Sequence, residues 1–163
     1  MPPEAEKLLE TLAGKLGELP DETAIVGIHT GGVWVADRLR SLLGNRHAYG
    51  TLAVTLHRDD FGAIGLHRQK KSTDIGFNVD GRDILLVDDV IHSGRTLRAA
   101  LNELFDFGRP ARVRLACLVD RGGRELPFAP DFTGGLVSLA DHQSISLTNE
   151  GGLLRFEIRE RAK

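Results

Sequence analysis

Leu8, Leu9, Leu12 and Leu16 recur at helical spacing, which predicts an amphipathic helix over 4–17 ending near Gly17. The period then changes. Ala24-Ile25-Val26-Gly27-Ile28 is a continuous apolar run, as expected of a buried parallel strand, and it stops at the polar His29-Thr30-Gly31-Gly32. A second helix follows, with Val35, Leu39, Leu42 and Leu43 at i, i+4, i+7 and i+8 and with Asp37, Arg38 and Arg40 off that stripe. Thr51 to Leu56 alternates, placing Leu52, Val54 and Leu56 on one face of a half-buried strand.

Between Arg58 and Lys71 no period is sustained, and an excursion of that length inside a domain reads as a mobile loop. Ile84-Leu85-Leu86-Val87 is the second buried strand. Asp88 to Thr96 joins it to a helix carrying Leu97, Ala100, Leu101, Leu104 and Phe105, closed by Gly108 and Pro110. Arg112 to Val119 is the third, with Val113, Leu115 and Cys117 on one face. Beyond Asp120 the chain is irregular, with short strand candidates at 136–139, 144–148 and 153–158. Strands alternating with helices predict an α/β fold, a mostly parallel sheet flanked by helices, with ligands at the C-terminal strand ends. The 163 residues suit one domain, 1–163.

Charge and cysteine content narrow the function classes. Lys and Arg number 21 against 23 Asp and Glu, a net −2, which argues against a globally basic coat for nucleic acid. Cys117 is the only cysteine, so an internal disulfide and a Cys-based zinc cluster are excluded and a reducing compartment fits; on a strand, it reads as core rather than nucleophile. His47, His57, His67 and His142 have no metal-ligand spacing. No run approaches 18 apolar residues, and Met1-Pro2-Pro3-Glu4 opens no signal-like segment, so a cytoplasmic location is expected.

The chemistry concentrates in Ile84-Leu85-Leu86-Val87-Asp88-Asp89-Val90-Ile91-His92-Ser93-Gly94-Arg95-Thr96. Two adjacent carboxylates leave a buried strand, and a glycine-containing turn opens a helix. Backbone N–H groups at such a helix start, with the Ser93 and Thr96 hydroxyls, suit a phosphomonoester. Paired carboxylates beside it suit vicinal hydroxyls, and phosphate next to a diol describes ribose 5-phosphate. Other readings stand beside this one. A Walker-B strand would look similar, although no G-x-x-x-x-G-K-[ST] accompanies it, and Ser93 could simply cap a helix below solvated aspartates.

This segment resembles the thirteen-residue signature of type I phosphoribosyltransferases, which bind phosphoribosyl pyrophosphate. Asp106-Phe107-Gly108-Arg109-Pro110-Ala111-Arg112, Leu118-Val119-Asp120-Arg121-Gly122, Arg124-Glu125-Leu126-Pro127, Asp131-Phe132-Thr133-Gly134 and the upstream Leu56-His57-Arg58-Asp59-Asp60 resemble one branch. That branch is the pyrimidine operon attenuation regulator/uracil phosphoribosyltransferase family, PyrR, and the likeness covers about residues 20–135.

The resemblance implies a type I phosphoribosyltransferase fold with a core over about 20–120 and a small hood with C-terminal strands over about 120–163. It implies a uracil phosphoribosyltransferase that makes uridine monophosphate and pyrophosphate. The alternatives are an RNA-binding attenuation regulator with little catalysis and a salvage enzyme for a purine. Asp88 and Asp89 would be the catalytic pair that holds the ribose hydroxyls, with no direct protein ligand to metal and magnesium carried in by the substrate. His92, Ser93, Gly94, Arg95 and Thr96 would form the phosphate site, His92 either touching phosphate or shaping the turn. Pyrophosphate would meet Thr30, Gly31, Gly32 and Arg58, with a cis peptide at Thr30–Gly31 and with Arg68, Lys70 or Lys71 as further loop cations; an ordinary solvated loop is the other reading of that basic cluster. Gly31 stands where the family usually has an arginine.

Val119, Asp120, Arg121, Leu136 and Val137 would form the base site. Related purine enzymes tend to have a lysine at the place of Asp120, and a carboxylate there would favour the ring N–H of uracil. A plain Asp120–Arg121 ion pair is the bland alternative. Arg121 and Arg124 would contact pyrimidine-operon leader RNA, while Ala129 stands where an RNA-binding arginine is usual. A homo-oligomer, dimer or higher, is also implied.

Overall fold

Each apolar strand buries both faces, and alternate residues go to opposite helical layers. Ile25, Leu85, Val87, Ala116 and Leu118 point into one core, while Ala24, Val26, Ile28, Ile84, Leu86, Leu115 and Cys117 point into the other. That double burial is why the strands read as unbroken apolar runs rather than as alternations. The computed structural model describes residues 1–54 and 72–162.

The elements follow in the order α1 (Ala5–Lys15), β1 (Ala24–Ile28), α2 (Gly31–Leu42), β2 (Tyr49–Leu52), β3 (Asp74–Ile75) and β4 (Asp83–Ile91). They continue with α3 (Arg95–Phe105), β5 (Arg112–Asp120), β6 (Phe132–Leu136), β7 (Gln143–Glu150) and β8 (Leu153–Glu160). A six-stranded sheet runs β3-β2-β1-β4-β5-β6. All of its neighbours are parallel except β2 and β3. Helices α1 and α2 cover one face and α3 the other. A fully buried leucine such as Leu9, Leu12, Leu39 or Leu85 contributes about 1.5–3 kcal/mol of transfer free energy.

Several local expectations shift. On α2 the buried ridge is Val35, Ala36, Leu39 and Leu43, and Leu42 is exposed. The ridge follows steps of four residues, leaving Leu42 on the flank of the last turn. Phe105, at the end of α3, is exposed for the same reason of position. The second strand lies at Tyr49–Leu52 rather than 51–56, with Leu56 outside the described residues, as is the whole 58–71 segment.

The largest correction concerns the C-terminal third. Residues 132–136 join the main sheet as its sixth strand, pairing parallel with β5, in place of the strand candidate at 136–139. Gly134 and Gly135 have low strand propensity and hide this strand from pattern reading. Helix α1 needs them: a Cβ on Gly134 would stand 2.6 Å from Leu118 O and 2.8 Å from Leu8 O. Strands β7 and β8 form a separate antiparallel hairpin whose Leu147, Leu154 and Phe156 enter the α1/α2 core. Glu6 ties these parts together, accepting from Arg38 Nη1 and Nη2 at 3.0 and 2.7 Å and from the Leu154 N–H at 3.1 Å.

Candidate active site

Strand β4 runs through the acid pair and ends at Ile91, so Asp88 and Asp89 lie within the strand rather than beyond its end. Asp88 is 5% exposed and opposite Cys117. Its Oδ1 accepts the Asp89 N–H at 2.9 Å, and Asp89 Oδ1 accepts the Val90 N–H at 2.8 Å. Burial, and next to it the negative charge of Asp89, push the Asp88 carboxyl well above the usual carboxylate range. Asp89 is half-buried and is the member of the pair open to a ligand.

The loop after β1 approaches the pair from the side. A Cβ on Gly32 would stand 2.5 Å from Val87 O and 3.0 Å from Asp88 Cα, so the start of α2 lies on β4 backbone to backbone. Gly31 and Gly32 thus lie beside Asp89 and Asp88. The cis peptide, however, is His29–Thr30, one bond earlier than expected. The Thr30 carbonyl already accepts the Val33 and Trp34 N–H groups of α2, which makes Thr30–Gly31 part of the trans helical start. Arg58, Arg68, Lys70 and Lys71 lie outside the described residues.

On the other side, the turn 92–94 opens α3. Gly94 has φ 93°, a left-handed conformation that excludes most side chains. Ser93 Oγ accepts the Arg95 N–H at 3.2 Å, and the Arg98 N–H bonds to Gly94 O at 3.1 Å. Ser93 Oγ thus takes up the Arg95 N–H, and a helix start of this kind suits an anion. His92 turns away: its Nδ1 donates to Gly122 O at 2.8 Å, the carbonyl being an acceptor only, so His92 shapes the turn. Arg95 is exposed and pairs with Glu125 at 3.1 Å. Half-buried Thr96 lies in the first turn.

Support for this turn comes from residues 120–128, a feature without a local sequence signal. The Glu125 and Leu126 N–H groups both bond to Ser93 O, at 2.9 and 3.0 Å. Arg124 donates to Phe128 O at 2.6 Å, to His92 O at 3.0 Å and to both oxygens of Asp120. That guanidinium holds the Asp120 carboxyl below its ordinary range. Asp120 therefore pairs with Arg124 and not with Arg121, and Arg124 is committed inside the loop. Arg121 bonds through its N–H to Ile91 O, while its buried Nε has no hydrogen-bond partner among the described residues; burial, then the charge of Arg161, lower its pKa.

The remaining base-site candidates divide. Val119 is fully buried in the core, so its side chain is unavailable to a ligand. Leu136, whose Cα pairs with Asp120, is 78% exposed, and the half-buried Val137 bonds through its N–H to Asp120 O at 2.9 Å. Cys117 is buried and its thiol is pushed up to about 12, in keeping with a core role. A cleft of about 490 Å³ lies at the opposite, N-terminal strand ends between segments 20–23 and 78–83, away from the acid pair. Among the described residues no helix is long and apolar enough to cross a membrane.

The family model described as phosphoribosyl transferase domain matches residues 3–144. The chain is 50% identical over 153 residues to the bifunctional protein PyrR of Ralstonia nicotianae, covering 91% of this chain and 87% of that one. It is 52% identical over 128 residues to the bifunctional protein PyrR of Pseudomonas aeruginosa, covering 78% and 75%. Among solved structures, a hypoxanthine-guanine phosphoribosyltransferase from Bacillus anthracis superposes with a TM-score of 0.65 at 20% identity, over 82% of this chain and 81% of that one. A purine phosphoribosyltransferase from Pyrococcus horikoshii gives 0.62 at 24% identity, over 82% of each chain. Those two share the fold; the family follows from the sequence relatives and from the residues 3–144 match, and the chain belongs to the PyrR family of phosphoribosyltransferases.

Proposed function

We propose that this chain is a cytoplasmic uracil phosphoribosyltransferase, moving ribose 5-phosphate from phosphoribosyl pyrophosphate to uracil with release of pyrophosphate. One observation carries the reading: only four residues, 90–93, separate the acid pair Asp88/Asp89 from the Gly94-opened start of α3, a diol acceptor next to a phosphate cradle. Asp89 accepts the ribose hydroxyls, buried Asp88 orients it through the Asp89 N–H, and Ser93 to Thr96 hold the 5-phosphate. Pyrophosphate lies toward Thr30, Gly31 and Gly32 at the start of α2, where helix N–H groups favour an anion.

Displacement at the anomeric carbon develops positive charge on the sugar and negative charge on the leaving pyrophosphate, so positioning and electrostatics suffice and no nucleophilic side chain is needed. Phosphoribosyltransferases generally use magnesium with the donor. The half-buried Asp89 carboxylate beside the start of α2 suits an ion that would arrive with its substrate and keep pyrophosphate, hydroxyl and water ligands. Bound, it would neutralise the leaving group. Uracil is placed against exposed Leu136 with its polar edge toward Asp120 and Arg121. The subunits are proposed to associate as a dimer or higher oligomer.

Product assays test this directly, offering uracil, orotate, hypoxanthine, guanine and xanthine with the donor and magnesium, and Asp88→Asn/Asp89→Asn as control. Uridine monophosphate formation, lost in the control, supports the reading, and a purine nucleotide in its place overturns the base site. A regulatory role on pyrimidine-operon leader RNA is a second reading, favoured by Arg121, whose side-chain Nε has no hydrogen-bond partner among the described residues. Arg121→Ala should lower the salt dependence of leader binding if Arg121 meets a phosphate.

A further inference from the structure

Gly31 needs no glycine on its own account. Its φ is not left-handed, and it is the first residue of α2, a position where alanine is the better helix former. What fills the space of its missing side chain is Asp89. A Cβ on Gly31 would overlap the Asp89 carboxylate, with Oδ2, Cγ and Cβ of Asp89 as its three nearest neighbours. The other carboxylate oxygen is held by the Val90 N–H at 2.8 Å. The carboxylate is thus folded against the first turn of α2, whose partial positive charge suits it. Gly32 differs, because the space beside it is filled by Val87 and Asp88 backbone.

We propose that Gly31 is a positioning residue of the donor site: by lacking a side chain, it sets the conformer in which Asp89 presents its free lone pairs to the ribose hydroxyls. This rests on the reading above that Asp89 accepts those hydroxyls. The two nearest neighbours at Gly31 are carboxylate atoms of Asp89, with its Cβ at 3.0 Å, so a methyl group there is accommodated by swinging the carboxylate away with a shift of α2 of no more than a few tenths of an ångström. Fold and donor binding should therefore separate in a single substitution.

The test is a double-mutant cycle on Gly31→Ala and Asp89→Asn, read by calorimetric binding of phosphoribosyl pyrophosphate with magnesium, by thermal melting and by steady-state kinetics. Gly31→Ala is expected to weaken donor binding about tenfold, to raise the donor KM more than it lowers kcat, and to leave Tm unchanged or raised. In the Asp89→Asn background the same alanine should weaken binding no further. Additive losses overturn the proposal, as does wild-type donor affinity in Gly31→Ala. A crystal structure of free Gly31→Ala should show the Asp89 carboxylate displaced; an unmoved carboxylate with a shifted α2 also overturns it. Wild-type protein that binds no donor overturns the functional reading, and the proposal with it, which distinguishes that failure from normal donor binding by both wild type and variant.

Discussion

Arg124 clamps Asp120, its Nη1 and Nη2 donating to the two carboxylate oxygens at 2.9 and 2.7 Å, while the same guanidinium reaches His92 O and Phe128 O. The end of β5 is thereby tied to the phosphate turn. Both side chains are largely buried, 23% and 15% exposed, so the pair is shielded from solvent screening. Arg124→Ala leaves Asp120 and two carbonyls without their donor and should cost about 2–4 kcal/mol in urea denaturation. Arg124→Lys should recover only part, since lysine lacks the fork.

The pair also has a pH signature. The folded-state carboxyl of Asp120 titrates below its ordinary 3.8, so its stabilisation is full above that value and is lost as pH falls through the lower folded one. Wild type and Arg124→Ala should therefore differ most at neutral pH and converge in acid, as followed by denaturation at a series of pH values.

Asp88 behaves in the opposite sense. Its folded-state carboxyl titrates above 3.8, so the favourable contribution is present below that value and is lost as pH rises through the raised one. Asp88→Asn keeps an oxygen for the Asp89 N–H and has no proton to lose. Its Tm should match wild type in acid and exceed it at neutral pH by about 2–4 °C for each 1 kcal/mol gained, while donor turnover falls.

Gly94→Ala tests the phosphate cradle. At φ 93° an L side chain is strained, and the added methyl would meet Phe128 at 3.1 Å. We expect a loss of about 1–2 kcal/mol in stability and a larger proportional loss in donor affinity, measured by calorimetry.

Leu136→Ala probes the base site with little structural cost. A side chain 78% exposed should change stability by no more than about 0.5 kcal/mol. If uracil lies on it, the uracil KM should rise about tenfold, the worth of a lost leucine contact, with kcat nearly constant. An unchanged KM would remove Leu136 from the base site.

Much of the architecture was written in local pattern. The runs at 24–28, 84–87 and 112–119 announce strands because a sheet covered on both faces has no polar side to interrupt them. The acid pair, the Ser93-Gly94 turn and the start of α3 are contiguous in the chain, so one strand–turn–helix unit carries them and their adjacency needs no long-range information. Tertiary structure alone decided the rest. Gly31 meets Asp89 across 58 residues of sequence only because β1 and β4 are sheet neighbours, and Gly134 reads as a strand breaker until α1 is laid over it. Asp120 had two arginines within four residues, and only the fold of the 120–128 loop, which brings Arg124 between His92 and Phe128, chose the partner. Periodicity reports which face of an element is buried; it carries no record of what a side chain meets there, because that contact depends on the path of the intervening chain.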